Sequence, residues 1–500
     1  VIVLSCRNCP PRILCFVQYL TTKELLEETE LTHYEYDLIS VGGGPAGLVA
    51  SVGASHVGLK PALLEHHRLG GDCLWTGCIP SKSLLASSHL AHAMKQADDL
   101  GLRSMTDTQV ANNVLKRMRD IRSRIALKDS PQSLSEKGVD SHFGPAHFIG
   151  PNTLEVEGVG IFKSKRIVLA TGAKPSIPSI RGLEKSGYLT YETVCDLEEY
   201  PQSIGIIGAG PVGIELAQTF NRLGSNIVIF EVKDRILNQE DSDVSVCLTH
   251  ILRKEGIQIH LESPIEKISV NTEDKKLVTS GGQQFIFDNI VVATGRNPAI
   301  HSLNLEVANI ELDDGIIRTQ PTLATSNKHV WAVGDVNGGP QYTNFAEYSA
   351  ATAVRNTLLP FPTSVDFSCI PHVLFTDPEI AHVGLTTPEV ECRGGRTFRI
   401  EFEELDRAIT EGKPEGFMKI SVDRRGRILG SSIIGYRAGE LIQPIVLAMK
   451  HGLTLSQIAD TSVAYPTMGE GLKRSAMAYQ KSRLDSPLGM ILKKCIIWLK

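Results

Sequence analysis

Tyr36-Asp-Leu-Ile-Ser-Val-Gly42-Gly-Gly44-Pro-Ala-Gly47 is the stretch whose reading decides the fold. Its first six residues form a short apolar strand, and three glycines follow in G-x-G-x-x-G spacing. A helical stretch rich in Ala, Val and Ser leads to a second strand, Pro61-Ala-Leu-Leu-Glu65, whose terminal acid stands 23 residues after Gly42. Each part has a physical reason. Gly42 makes the tight turn, Gly44 lets a pyrophosphate approach the backbone, and Gly47 permits close helix–strand packing. The helix N-terminus favours phosphate charge, and Glu65 can accept from a ribose hydroxyl. The glycine pattern alone is weak; with strand, helix and terminal acid around it, it is strong.

The same unit recurs. Ile204-Gly-Ile-Ile207 leads into Gly208-x-Gly210-x-x-Gly213, a helix over Ile214–Leu223, and Asn226-Ile-Val-Ile-Phe-Glu231, with Glu231 again 23 residues after the first glycine. Ile167-Val-Leu-Ala-Thr171-Gly172 and Ile290-Val-Val-Ala-Thr-Gly295 echo each other as apolar strands ending in Ala-Thr-Gly. Two such folds imply two dinucleotides. Lys328-His-Val-Trp-Ala-Val333 is a further strand with Asp335 at its C-terminal end. Ligands of doubly wound sheets bind there; alternatively Asp335 is a turn residue.

Outward from the first unit lies Gly71-Asp-Cys73-Leu-Trp-Thr-Gly-Cys78-Ile-Pro-Ser-Lys82. Gly77 and Pro80 mark a turn entering a helix, which places Cys78 near a helix N-terminus where a thiolate is favoured. The pair reads as a reducible disulfide. Half of a zinc site is the alternative, but no further Cys or His pair stands nearby at matching spacing.

Five hundred residues call for two or three domains. A net charge of −5 with both signs interspersed gives no reason to invoke nucleic acid or an acidic membrane. Ten mostly isolated cysteines fit the cytoplasm or another reducing compartment, and no apolar run is long enough to span a membrane. Residues 1–34, with Cys6-x-x-Cys9, read as a disordered leader or the remnant of a targeting segment, with a metal or redox motif as the alternative, and no function is assigned to them. Helices are expected over Leu84–Leu102 and Val110–Leu127, the latter with solvated Lys116, Arg119 and Arg122. From about residue 367 the pattern becomes α+β without nucleotide signatures, and it ends in Tyr465-Pro-Thr-Met-Gly-Glu470 before a last helix and an apolar tail.

Taken together, these motifs resemble class I FAD-dependent pyridine nucleotide–disulfide oxidoreductases, the family of dihydrolipoamide dehydrogenase, glutathione reductase and mercuric reductase. The resemblance covers about residues 35–485. It implies an α/β fold with an FAD domain (35–185 and 299–362), an NAD(P) domain (186–298), an α+β dimerisation domain (367–485) and a tail (486–500). It further implies a homodimer, with FAD on Gly42–Gly47 and NADH or NADPH on Gly208–Gly213. By motif, Cys73 and Cys78 are the redox pair, with Cys78 nearer the flavin. Lys82 pairs with Glu215, and Ala146, Thr171, Gly172 and Asp335 complete the FAD site. Glu231 favours a free 2′-hydroxyl, hence NADH, although Lys233 and Arg235 beside it offset that preference.

One departure bears on the substrate. Disulfide-reducing members carry His-Pro-Thr-x-x-Glu before the last helix, where this chain has Tyr465-Pro-Thr-x-x-Glu470. A phenol is a poor proton shuttle at neutral pH. Mercuric reductases resemble this stretch better, with a Tyr there followed by a Met-x-Glu-Gly-Leu-Lys pattern, as in Met468-Gly-Glu-Gly-Leu-Lys473. Reducing a thiophilic metal ion needs soft thiolates and electrons rather than a proton for a leaving thiol. Their vicinal C-terminal cysteines are missing; Cys495 stands alone. The expected function is therefore NAD(P)H-dependent reduction of a thiophilic metal ion or another electrophile. The alternatives are a dihydrolipoamide dehydrogenase with altered acid/base and a flavoprotein scaffold subunit.

Overall fold

Leu38–Val41 and Pro61–Glu65 are apolar on both faces, as strands of a parallel sheet covered on both sides must be. They pair in parallel, Leu38 opposite Pro61 and Val41 opposite Leu64. Asp140–Phe143 extends the sheet on one side, and Ile167–Leu169 then Val330–Ala332 extend it on the other. The chain thus leaves this sheet after Leu169 and returns to it only at Val330. This is a computed structural model, and it describes residues 35–104, 113–271 and 274–498. The expected leader, with Cys6 and Cys9, lies outside the described residues.

Between departure and return stands a second parallel sheet, in the order Gln258–His260, Asn226–Phe230, Ser203–Ile207, Asn289–Val292. In each sheet the glycine turn leaves a central strand and enters a helix, Pro45–His56 or Pro211–Arg222, with proline in the first turn. The Ala-Thr-Gly echoes now have a cause. A Cβ on Gly42 (φ +106°) would lie 2.3 Å from the Ala170 carbonyl oxygen, and one on Gly208 (φ +107°) 2.5 Å from that of Ala293. Each Ala-Thr-Gly strand end presses its backbone against a glycine turn, so no side chain fits at Gly42 or Gly208.

The third unit is an antiparallel sheet, in the order His372–Leu374, Glu379–Gly384, Ile428–Gly435, Phe417–Val422, Arg396–Glu401. Helices Ala438–Lys450, Leu455–Ala459 and Glu470–Leu484 cover one face, with Met418, Ile420, Ile433, Ile442, Ile445 and Tyr479 in the shared core.

Two expectations need correction. The helix expected to reach Leu102 stops at Lys95 and passes through a tight turn at Ala97–Leu100, where Gly101 is left-handed (φ +75°) and Asp98 accepts from the Ser104 N–H. The following helix is described over Asn113–Ala126, and two of its basic residues bind protein groups, Arg119 half-buried and Arg122 buried. Arg119 donates to the Leu197 carbonyl, and buried Arg122 donates to the Trp75 carbonyl and the Asp196 carboxylate. A basic helical stripe is readable in sequence; whether it meets water or the carbonyls of another element is not.

Candidate active site: a thiol pair between two nucleotide folds

Cys73 lies in the short helix Gly71–Trp75, and Cys78 is the first residue of the helix Cys78–Lys95. Gly70, left-handed at φ +101°, starts the short helix; a Cβ there would lie 2.2 Å from Leu74. Arg122 then pins the loop between the cysteines by its bond to Trp75 and its position over that ring, 5.5 Å from the centroid.

Both cysteines are free thiols, and their environments drive them apart. The hydrogen bond from Cys73 lowers the Cys78 pKa to about 6 against its burial, with further help from the Thr343 hydroxyl, at 3.3 Å from the sulfur, and the Lys82 charge. The same hydrogen bond, with burial, pushes the Cys73 thiol up. The result is a thiolate at Cys78 and a thiol at Cys73.

Lys82, one helical turn beyond Cys78, donates to Glu215 Oε2 at 2.9 Å and lies 4.3 Å from the centre of the Phe375 ring. Glu215 holds the arrangement from both sides, since its Oε1 accepts from the Phe375 N–H at 2.8 Å. One carboxylate on the second nucleotide fold thus ties a helix of the first to the third unit.

These groups line a continuous cleft of about 1890 Å³ that also holds Gly42, Gly44, Glu65, Ala146, Thr171, Gly172 and Asp335 from the first fold. Gly208, Gly210, Glu231 and Gly295 line it from the second. Ordinary small-molecule pockets occupy about 300–1,000 Å³, so this one has room for two dinucleotides. Gly44 and Gly210 test the fit. A Cβ at Gly210 would meet no protein atom within 4 Å, and one at Gly44 only an ordinary contact at 3.7 Å. A side chain at either position would therefore stand in the cleft where a phosphate must approach. Gly47 and Gly213 are absent from the lining; a Cβ on them would strike the Gly42 or Gly208 carbonyl oxygen at 1.8 or 2.2 Å. They serve packing.

The two strand-end acids bind their own turns. Glu65 accepts from the Gly43 N–H at 2.5 Å and Glu231 from the Ala209 N–H at 2.7 Å, each with further lone pairs to offer. Thr171 donates its hydroxyl to the Ala299 carbonyl. Asp335, raised in pKa by burial and held down in part by Arg296, accepts from that guanidinium at 2.8 Å.

Sequence reasoning missed Thr343, Phe375 and Arg296. Thr343 is 265 positions from Cys78, and nothing local marks it. Arg296 directly follows the second Ala-Thr-Gly, which was a usable signal.

Tyr465 and Glu470 do not join this cleft within one chain. Tyr465 is 70 % exposed, and its hydroxyl donates to Asp406 Oδ2 at 2.8 Å, a bond that raises its pKa. Glu470 is mostly buried, and its Oε2 has no hydrogen-bond partner among the described residues. Among the described residues no three His, Cys, Asp or Glu gather as a resident metal site.

Two parallel nucleotide folds feeding a thiol pair define a class, and comparison with known proteins agrees. Residues 36–351 match the pyridine nucleotide-disulphide oxidoreductase family model, and residues 370–476 match the dimerisation domain of that family. The chain belongs to this family, whose members use FAD and NAD(P)H. It is 33 % identical to the mercuric reductase of Lysinibacillus sphaericus over 453 residues, covering 89 % of this chain and 83 % of that protein. It is 31 % identical to the dihydrolipoyl dehydrogenase of Chlamydia muridarum, over 91 % of this chain and 98 % of the relative. Among solved structures, the Cu(II) complex of the HOCl-induced flavoprotein disulfide reductase RclA from Escherichia coli superposes with a TM-score of 0.80. That match has 27 % identity and covers 89 % of this chain and all of the other.

Proposed function

We propose that this flavoprotein oxidoreductase uses NAD(P)H to reduce a thiophilic metal ion at the Cys73–Cys78 pair. The observation that carries the reading is the acid/base position. Tyr465 stands there, and its bond to Asp406 raises the phenol pKa further, so the group keeps its proton at neutral pH. A disulfide substrate needs a proton for its departing thiol in each turnover. A soft metal ion needs only sulfur ligands and electrons. The mercuric reductase relatives and the Cu(II)-bound structural neighbour support this substrate class.

When bound, FAD and NAD(P)H would supply one electron pair to open the disulfide and a second to reduce the metal. The residues of the chain prepare the rest. Lys82, fixed by Glu215 and Phe375, sets a positive charge beside Cys78 and stabilises negative charge as it develops there. Cys78 is already a thiolate, and Cys73 gives up its proton on taking the metal. With Hg(II), the Cys78 thiolate and the Cys73 thiol bind one ion and release one proton. Two electrons and one proton then return the thiolate–thiol pair and Hg(0). Tyr465 and Glu470 approach the thiols from a second copy of the chain, docked through the dimerisation domain.

The test is anaerobic oxidation of NADH and NADPH by the purified flavoprotein with Hg(II) in excess thiol, Cu(II), lipoamide or glutathione disulfide. Metal-dependent oxidation that Cys73→Ser abolishes is the expected result. Brisk lipoamide turnover would overturn it in favour of the second reading, a dihydrolipoamide dehydrogenase, which the similarity to dihydrolipoyl dehydrogenases favours.

A further inference from the structure

The helix Pro487–Trp498 ends the described chain with apolar side chains facing outward. Trp498 is 85 % exposed and Ile497 72 %, and Met490 and Ile491 are exposed as well. Its 12 described residues extend about 18 Å, short of the roughly 30 Å of bilayer hydrocarbon, and no helix among the described residues is long and apolar enough to cross a membrane. An exposed helix this apolar nevertheless marks an interaction surface.

Charge indicates what covers it. Residues 470–500 hold seven Lys or Arg against two acids, Glu470 and Asp485, in a chain whose net charge is −5. There is no acid between Asp485 and Lys500. The whole-chain charge averages this local excess away, which is why it gave no hint of an acidic surface. Lys493 meets Asp485 at 2.7 Å, and the neighbouring Lys494 is exposed. A second copy presenting the same helix would bring like charge against like and is disfavoured. An anionic lipid surface satisfies both features, because apolar side chains and a terminal Trp enter the headgroup boundary while lysines meet lipid charge.

We propose that Pro487–Trp498 is an interfacial anchor that docks this oxidoreductase on anionic phospholipid, with Ile491, Ile497 and Trp498 inserted and Lys493 and Lys494 at the headgroups. The anchor is independent of which electron acceptor the cleft serves.

The experiment is co-sedimentation of the full FAD-loaded chain with phosphatidylcholine vesicles, with and without phosphatidylserine. Binding is expected only with phosphatidylserine and should weaken as salt rises. Each lysine near the surface contributes roughly a fivefold factor in partitioning, so Lys493→Glu/Lys494→Glu should lose at least tenfold. Ile491→Asp/Trp498→Ala should lose a comparable amount. Both variants should keep wild-type NAD(P)H oxidation in solution, which shows that they are folded. Equal binding to both vesicle types, no binding to either, or indifference to both variants would overturn the proposal. So would an assembly larger than a dimer that Ile491→Asp dissolves, because the face would then be covered by protein.

Discussion

Cys78 and Cys73 carry the same functional group, yet a hydrogen bond between them and the cation of Lys82 separate their acidities. A thiol whose pKa is lowered is ionised above that value and reprotonates as pH falls through it. Thiolate absorbance of the reduced protein should therefore rise through a midpoint near the Cys78 value of about 6, and Cys78→Ser should remove that rise. Lys82→Met removes the charge that lowers it alongside the larger effects of the Cys73 and Thr343 hydrogen bonds. The midpoint should move up, and the thiolate fraction near pH 6 should fall several-fold. An unchanged midpoint would show that the helix N-terminus and the partner thiol suffice.

At the level of elements, the two glycine turns separate folding from binding. Gly42→Ala would drive a Cβ to 2.3 Å from a backbone oxygen at positive φ, and it should destabilise the chain by several kcal/mol or prevent folding. Gly210 has φ −76° and open space around it, so Gly210→Ala should leave thermal stability within about 0.5 kcal/mol. It should raise the nicotinamide dinucleotide KM on the order of tenfold or more, read from steady-state kinetics. The helix that begins there ends at Arg222, whose 2 % exposed side chain binds Glu255 at 2.7 Å and Asp377 at 3.0 Å. Asp377 lies two residues past Phe375, so this network holds the Glu215 clamp. Arg222→Met strands buried carboxylates and should cost about 3–5 kcal/mol, seen as a lowered denaturation midpoint. Burial raises the pKa of Asp377, but the charges of Arg222 and Lys413 more than offset it. A depressed carboxyl pKa contributes stability that is complete above about pH 4 and lost as pH falls through the folded value. In wild type this stability should drain away below that pH, and Asp377→Asn should flatten the acid limb.

For the whole molecule, the question is how Tyr465 and Glu470 reach the thiols. The dimer reading makes a decisive prediction: a Cys73→Ser chain, inactive alone, should restore activity to a Glu470→Ala chain, slowed by the loss of a side chain beside the thiols, when the two are co-expressed. In the mixed dimer one site joins an intact Cys73 to the intact Glu470 of the other chain. No recovery would place both residues in one chain. Much of this architecture was legible in the sequence, since the two nucleotide units, the thiol pair and the α+β unit follow from spacing and periodicity within short windows. The roles of Arg119 and Arg122 were misread because helical spacing places a side chain on a face without saying what that face meets.

By itself the sequence determined the two βαβ units and the position of Cys78 at a helix start, because turns, strand patterns and helix entry are set by neighbours a few residues away. Only the tertiary structure decided that Thr343 meets Cys78, that Arg296 pairs with Asp335, and that Glu215 joins Lys82 to the Phe375 backbone. It also set Tyr465 and Glu470 apart from the cleft of their own chain. These relations depend on how three separately built sheets stack, and no local spacing rule encodes that stacking.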